Sequence, residues 1–166
     1  MDVSIRWLIR VDMPEVLAIE REAFSRQWSE EDFLSYLRQK NCIGMVARQG
    51  KKVIGFMIYE LCPKWLQLHR FAVARTHRRV DVGTALIDQL IGKLSLDRRV
   101  AIGTSIPEEN LEAQLFFRSQ GFKSDGIVED CTEAGEPTVE YLMKYDISPV
   151  VFAPTNRITQ YIKEPE

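Results

Sequence analysis

The stretch Phe71-Ala72-Val73-Ala74-Arg75-Thr76-His77-Arg78-Arg79-Val80-Asp81-Val82-Gly83-Thr84 decides how this chain is read. A strand-like apolar run over residues 66–74 ends at Arg75, an arginine pair follows, and a helical pattern opens near Gly83. Free N–H groups at a helix start, together with the helix dipole, favour an anion such as phosphate. A glycine lets backbone approach closely, and Arg78 and Arg79 add charge-assisted hydrogen bonds. The same pattern also occurs as a plain solvated loop. It is not a Walker A loop, because no Gly-Lys-Ser/Thr is present, and it is not a dinucleotide fingerprint, because GxGxxG is absent.

Downstream of this stretch, Val82, Leu86, Leu90 and Leu94 recur every four residues, an amphipathic helix. Upstream, residues 43–48 and 53–61 are apolar runs separated by Gln49-Gly50-Lys51-Lys52, a hairpin signal, and Pro63 ends the second run. Residues 5–9 read as a first strand. Asp12 then offers a helix N-cap, Pro14 suits the first turn, and Val16, Ile19 and Ala23 follow at helical spacing. Ser29 begins Ser-Glu-Glu-Asp, a capping-box start for a helix with Phe33 and Leu37 on one face. Toward the other end, residues 100–106 read as a strand broken by Pro107, and residues 110–119 as a helix with Gly121 just past it. Residues 122–128 and 139–145 are a final strand pair, joined by an acidic connection of Glu129, Asp130, Glu133 and Glu136. Residues 1–146 form a single expected domain. Residues 147–166, with Pro149, Pro154 and Pro165, read as a tail with a short strand at 157–162. The order β-α-α-β-β-β-α-β-α-β-β is mixed α+β and leaves several folds open.

The chain has 166 residues, 22 Lys+Arg against 24 Asp+Glu, two His and three Cys. That length suits one domain with an ample core. A net charge of −2 argues against a protein that lives on nucleic acid, since phosphate-backbone binding needs a basic excess. The first ten residues carry Asp2, Arg6 and Arg10 and no apolar h-region, so no signal peptide is expected. No apolar run is long enough to span a bilayer. Cys42, Cys62 and Cys131 lack CxxC spacing, and His69 and His77 have no partner at metal-ligand spacing. The expectation is a cytoplasmic protein with reduced thiols, no metal, and no nucleic-acid or membrane partner, existing as a monomer or weak homodimer.

Three motifs at consistent spacing resemble one family. Val73-x-x-x-x-Arg78-Arg79-x-x-Val82-Gly83-Thr84 is similar to the acyl-CoA loop of the GNAT superfamily of N-acetyltransferases. Asn110-x-x-Ala113-x-x-x-Phe117-x-x-x-Gly121-Phe122 resembles the helix and turn after that family's fifth strand. Ala23-Phe24, Trp28-Ser29 and Phe33 resemble the N-terminal part of the branch that acetylates the α-amine of ribosomal proteins. The resemblance runs from Ser4 to Tyr145. It implies a mostly antiparallel twisted sheet of about seven strands flanked by about four helices, with splayed fourth and fifth strands. It also implies acetyl-CoA as co-substrate, with Phe71, Ala72 and Val73 presenting backbone groups to the pantetheine arm and thioester. The Val73 N–H would polarise the thioester carbonyl. Backbone N–H groups of Arg79, Val80, Asp81, Val82, Gly83 and Thr84 would cradle the pyrophosphate, and Asn110 would hold the pantetheine arm. The implied reaction is direct attack of an amine, above all a protein N-terminal α-amine, on acetyl-CoA.

The sequence departs from that pattern where chemistry is concerned. Asp81 stands where the family loop has a second Gly; Asp tolerates a left-handed backbone, but its carboxylate repels a pyrophosphate. The positions that carry the branch's basic Glu and acidic Tyr hold Ser105 and Phe117, a poor base and a group with no proton to give. His69 is a replacement base: counting by two from Val73 places Phe71, His69 and Gln67 on one strand face, and histidine is the side chain that ordinarily titrates near neutrality. A partly exposed strand histidine is the plainer reading, and Glu60, Glu108 and Glu109 are further candidates. Basic residues gather between Arg70 and Arg79, where the cofactor's phosphates would dock, and acidic ones between Glu129 and Glu136, where an amine could approach. The competing functions are a GNAT-fold binding or regulatory protein that has lost catalysis, and nucleic-acid binding through Arg70, Arg75, Arg78 and Arg79, which lacks interleaved exposed aromatics.

Overall fold

The computed structural model describes residues 2–149. Its seven strands are β1 (Ser4–Trp7), β2 (Cys42–Gln49), β3 (Lys52–Leu61), β4 (Trp65–Val73), β5 (Ala101–Pro107), β6 (Lys123–Cys131) and β7 (Pro137–Asp146). They form one sheet in the order β1-β2-β3-β4-β5-β7-β6, with every neighbouring pair antiparallel except β4 and β5. The helices are α1 (Met13–Ala23), α2 (Glu30–Leu37), α3 (Val82–Ile91) and α4 (Leu111–Ser119). This is the mixed architecture that the element order and the resemblance imply. From residue 150 onward, the expected tail and its strand at 157–162 lie outside the described residues.

Local signals act as expected at most boundaries. The β2–β3 hairpin turns through Gly50 at φ 59°. Ser29 Oγ accepts from the Asp32 N–H at 3.2 Å while Asp32 Oδ2 accepts from the Ser29 N–H at 2.8 Å, a closed capping box. Helix α4 ends in a Schellman motif: Gly121 at φ 95°, the Phe122 N–H on the Phe117 carbonyl and the Gly121 N–H on that of Arg118. Asp12 behaves differently. Its carboxylate caps no helical N–H. It instead receives the Arg6 guanidinium in two bonds of 2.7 and 2.8 Å and the Ile9 N–H at 2.9 Å, tying β1 to α1. Arg6 accordingly holds the Asp12 carboxyl below the usual carboxylate range. Glu129 and Asp130 also differ from expectation: they lie within β6, and the turn is only residues 132–136.

The sheet carries two cores. On one face, Met57, Tyr59, Leu66, Leu86, Leu90, Ile102, Phe117 and Phe122 pack together under α3 and α4. On the other face, Val16, Ile19, Phe33, Phe56, Ile58 and Ala72 pack under α1 and α2. No residue of β5, β6 or β7 belongs to this second core, so no helix among the described residues covers the face of those strands on the α1–α2 side.

Candidate active site

The parallel ladder between β4 and β5 is four pairs long, from Trp65 opposite Ala101 to Leu68 opposite Thr104. There the strands fork. The buried Thr104 Oγ1 donates to the Leu68 carbonyl at 3.2 Å at the point of division. Just beyond, β4 contains a bulge: Ile58 faces Arg70 but Tyr59 faces Leu68, so His69 is an extra residue. The bulge breaks the two-residue alternation on which the sequence reading of this strand rests. Leu66 and Leu68 lie in the α3–α4 core and so does Phe71, whereas His69 and Arg70 both turn toward α1 and α2. His69 and Phe71 are therefore on opposite faces, a correction to the count by two.

The register also fixes which β4 backbone groups are free. Ala74 donates to the Ile54 carbonyl at 2.8 Å, which makes 54/74, and hence 56/72, the hydrogen-bonded pairs of the β3–β4 ladder. Phe71 and Val73 are out of phase and turn their N–H and C=O groups away from β3, into the fork where β5 has no pairs left. Ala72, expected to share this role, directs its backbone polar groups to β3. The Val73 carbonyl accepts from Arg78 Nε at 3.1 Å.

A cavity of about 820 Å³ occupies the fork and opens on both faces of the sheet. Its α3–α4 side contains the cradle. Arg79 (φ 63°) and Asp81 (φ 66°) are both left-handed, and Asp81 is the residue before α3. None of the N–H groups of residues 79–84 donates to the described residues; the first bond of the helix is the Ala85 N–H to the Asp81 carbonyl at 3.0 Å. Six consecutive unbonded amides at a helix N-terminus are an arrangement that can receive an anion. Arg78, Arg79, Asp81, Gly83 and Thr84 line the cavity; Val80 and Val82 do not, and the Val82 side chain is buried in the core.

Asn110 is the N-cap of α4, its Oδ1 accepting from the Ala113 N–H at 3.1 Å, and it lies on the cavity wall with its Nδ2 bonded to no described residue. Gly83 is required by packing: a Cβ there would sit 2.9 Å from Phe116 Cζ. Phe116 in turn stacks on Phe71, with centroids 5.5 Å apart. Phe117 is 4% exposed and wedged against Phe71, Phe116 and Phe122, so it is first a core residue.

The α1–α2 side of the cavity is differently built. His69 Nε2 lies 2.8 Å from Glu60 Oε1, and the Tyr36 ring leans on the imidazole. Asn41 Nδ2 donates to the same Glu60 carboxylate at 3.0 Å. The His69 hydrogen bond holds the Glu60 carboxyl below its ordinary range despite partial burial. The carboxylate is therefore the acceptor, and Nε2 carries the proton; this leaves Nδ1, with no partner among the described residues, as the accepting nitrogen. Ser105 Oγ donates to Glu140 Oε2 at 3.0 Å, and both residues line the cavity. Glu140 had no signal beyond being a charged residue inside the last expected strand; only the β5–β7 register brings it here. Arg70 and Arg75 leave the basic cluster: Arg70 is held by buried Glu20, and the Arg75 guanidinium and N–H bond Glu22. None of Glu129, Asp130, Glu133 and Glu136 lines the cavity, nor do Glu60, Glu108 and Glu109; the acids on its wall are Asp81, Glu112 and Glu140. The three cysteines are unpaired thiols, and burial pushes those of Cys42 and Cys62 up. Among the described residues no group of His, Cys, Asp and Glu is placed to hold a metal ion, and no helix is long and apolar enough to cross a membrane.

The sequence model of the acetyltransferase (GNAT) family matches residues 13–122. No curated protein matches the sequence. Among solved structures, the ribosomal-protein-S18-alanine N-acetyltransferase of Escherichia coli is 24% identical and superposes with a TM-score of 0.76, over 92% of this chain and 98% of that one. Ard1 from Thermoplasma volcanium is 20% identical with a TM-score of 0.78, over 90% and 100% of the two chains. Arabidopsis thaliana NAA60, solved in complex with acetyl-CoA, is 14% identical with a TM-score of 0.73, over 88% and 100%. At these identities the likeness is one of fold.

Proposed function

The chain belongs to the acetyltransferase (GNAT) family, and from that premise we propose that it transfers an acetyl group from acetyl-CoA to a primary amine, with a protein N-terminal α-amine as the leading acceptor, by direct attack in a ternary complex. The observation that carries this reading is the fork, where one cavity joins a row of free amides on the α3–α4 side to a histidine and one carboxylate, Glu140, on the α1–α2 side. The residues present fit acetyl-CoA. The amides of residues 79–84 and the Arg79 side chain would receive the pyrophosphate, Asn110 Nδ2 and the free Phe71 backbone would hold the pantetheine arm, and the Val73 N–H would polarise the thioester carbonyl. The amine attacks the thioester carbonyl carbon, the C–S bond breaks, and CoA leaves as thiolate. His69 Nδ1 takes the proton that the attacking ammonium must lose, with Glu60 holding the imidazole in place through its hydrogen bond to Nε2. Ser105 and Phe117 supply neither base nor acid, so the second proton, which the nitrogen loses as the amide forms, reaches the departing thiolate through water. The expectation of a cytoplasmic monomer or weak dimer, with residues 1–146 as its one domain, goes with this proposal.

The second reading, a GNAT-fold protein that binds acetyl-CoA without transferring its acetyl group, rests on Phe117 and on Asp81 beside the cradle. Two measurements separate the readings. Acetyl-CoA at about 100 times its dissociation constant stabilises the native state by roughly 2.7 kcal/mol, read as a rise in Tm. Release of free CoA thiol is then followed with peptides bearing a free N-terminus, with lysine side chains and with small amines. Stabilisation and release with N-terminal peptides supports the first reading; stabilisation with no release for any amine supports the second; no stabilisation removes the cofactor site altogether.

Asp81→Gly tests the cradle itself. The substitution removes a carboxylate next to the phosphates and a left-handed non-glycine residue, whose backbone strain is about 1 kcal/mol. Acetyl-CoA is expected to bind about tenfold tighter by calorimetry, roughly 1.4 kcal/mol. An unchanged affinity would mean that the phosphates do not lie over this loop.

A further inference from the structure

Glu140 is a carboxylate on the cavity wall with no cation beside it among the described residues. It lies opposite Pro107 in the β5–β7 ladder, and Leu142 lies opposite Ser105, so Glu140 and Leu142 share the strand face opposite that of Met143 and Tyr145. Met143 and Tyr145 pack into the α3–α4 core. Glu140 therefore belongs to the other half of the cavity, the half that holds His69 and the α1–α2 residues. Ser105 donates its single proton to Oε2, which aims the group. Oε1 accepts from none of the described residues, and no Lys or Arg of the described residues pairs with Glu140. The arginine nearest in function, Arg70, is already held by Glu20. A half-buried carboxylate with one oxygen unsatisfied calls for a charged donor from outside the chain.

We propose that Glu140, aimed by Ser105, is the group that binds the acceptor's ammonium, so that the site takes acceptors entering as protonated primary amines. This rests on the acetyl-transfer reading and deepens it. The carboxylate that the family resemblance leads one to seek on β5 is delivered here from β7, across the strand pair, with Ser105 as its holder rather than as a base. Glu140 takes no proton in this role. It fixes the ammonium by an N–H···Oε1 hydrogen bond and leaves proton removal to His69, so charge recognition and base catalysis sit on two different strands. Blocking the amine removes the charge and leaves a single neutral N–H in place of three charge-assisted donors.

The test uses the full chain and a set of short peptides that differ in their first residue, each with a free or an acetylated N-terminus. In Glu140→Gln, the KM for the free peptide rises about tenfold or more, kcat falls by less than KM rises, and acetyl-CoA affinity stays at the wild-type value, which also reports an intact fold. Ser105→Ala shifts KM in the same direction by less, and Glu140→Asp recovers part of the loss. A Glu140→Gln enzyme with the wild-type KM overturns the inference while leaving acetyl transfer in place. If the wild type acetylates none of the peptides, the transfer reading fails separately, and equilibrium binding to the CoA-loaded protein decides this one. Preference for free over acetylated peptide in the wild type, lost in Glu140→Gln, supports it. No preference in the wild type overturns it.

Discussion

Arg70→Ala is expected to lower the unfolding free energy by about 3–5 kcal/mol, the range found when one partner of a buried ion pair is removed. Glu20 is fully buried and Arg70 nearly so, with Arg70 Nε 3.1 and 3.2 Å from the two carboxylate oxygens. The pair also organises the segment between α1 and α2. Glu20 accepts from the Trp28 N–H at 2.9 Å, Arg70 donates to the Arg26 carbonyl at 2.7 Å, and its guanidinium lies 3.8 Å from the centre of the Phe24 ring and 5.0 Å from that of Trp28. Truncating the arginine strands a carboxylate in the core and releases a loop whose Phe24 and Trp28 line the cavity. Replacing both partners with apolar residues, as in Glu20→Met with Arg70→Leu, recovers most of the stability, because no charge is then left unpaired. Urea denaturation of the two single variants and the double variant measures this. Additive losses would show that the two residues contribute separately.

His69→Ala is expected to reduce kcat about 100-fold, the lower end of what a positioned general base supplies. The pH profile distinguishes a base from a wall residue. In the wild type, kcat falls on the acid side as the base becomes protonated and can no longer accept; in His69→Ala that limb disappears, and the remaining rate follows the fraction of acceptor already deprotonated. Glu60→Gln keeps the shape of the pair but weakens the hydrogen bond that orients the imidazole, and a loss of about tenfold or less is expected. A wild-type acid limb that survives His69→Ala would assign it to another group and return the histidine to a structural role.

Much of the fold is local and therefore legible. The Gly50 turn, the Ser29 capping box, the Leu86–Leu90 periodicity and the Gly121 stop are each set within a few residues, and each appears where the pattern puts it. The site is less legible because it depends on register. One inserted residue in β4 moves Phe71 to the face opposite His69, and no alternation count along a single strand detects an insertion that only its partner strand reveals. The same applies to charge. Arg70 sits nine residues before residues 79–84 but faces the other way, and Glu140 lies thirty-five residues from Ser105 yet bonds to it. That the amides of residues 79–84 are free was legible because their availability follows from a helix starting there.

The fork has a mechanical meaning as well. Four pairs of residues are all that join the β1–β4 half of the sheet to the β5–β7 half, and a core bridges the two halves on the α3–α4 side only. Among the described residues, the opening therefore lies between two half-sheets that share four residue pairs and one core, so its width is set by that joint and not by a continuous ladder.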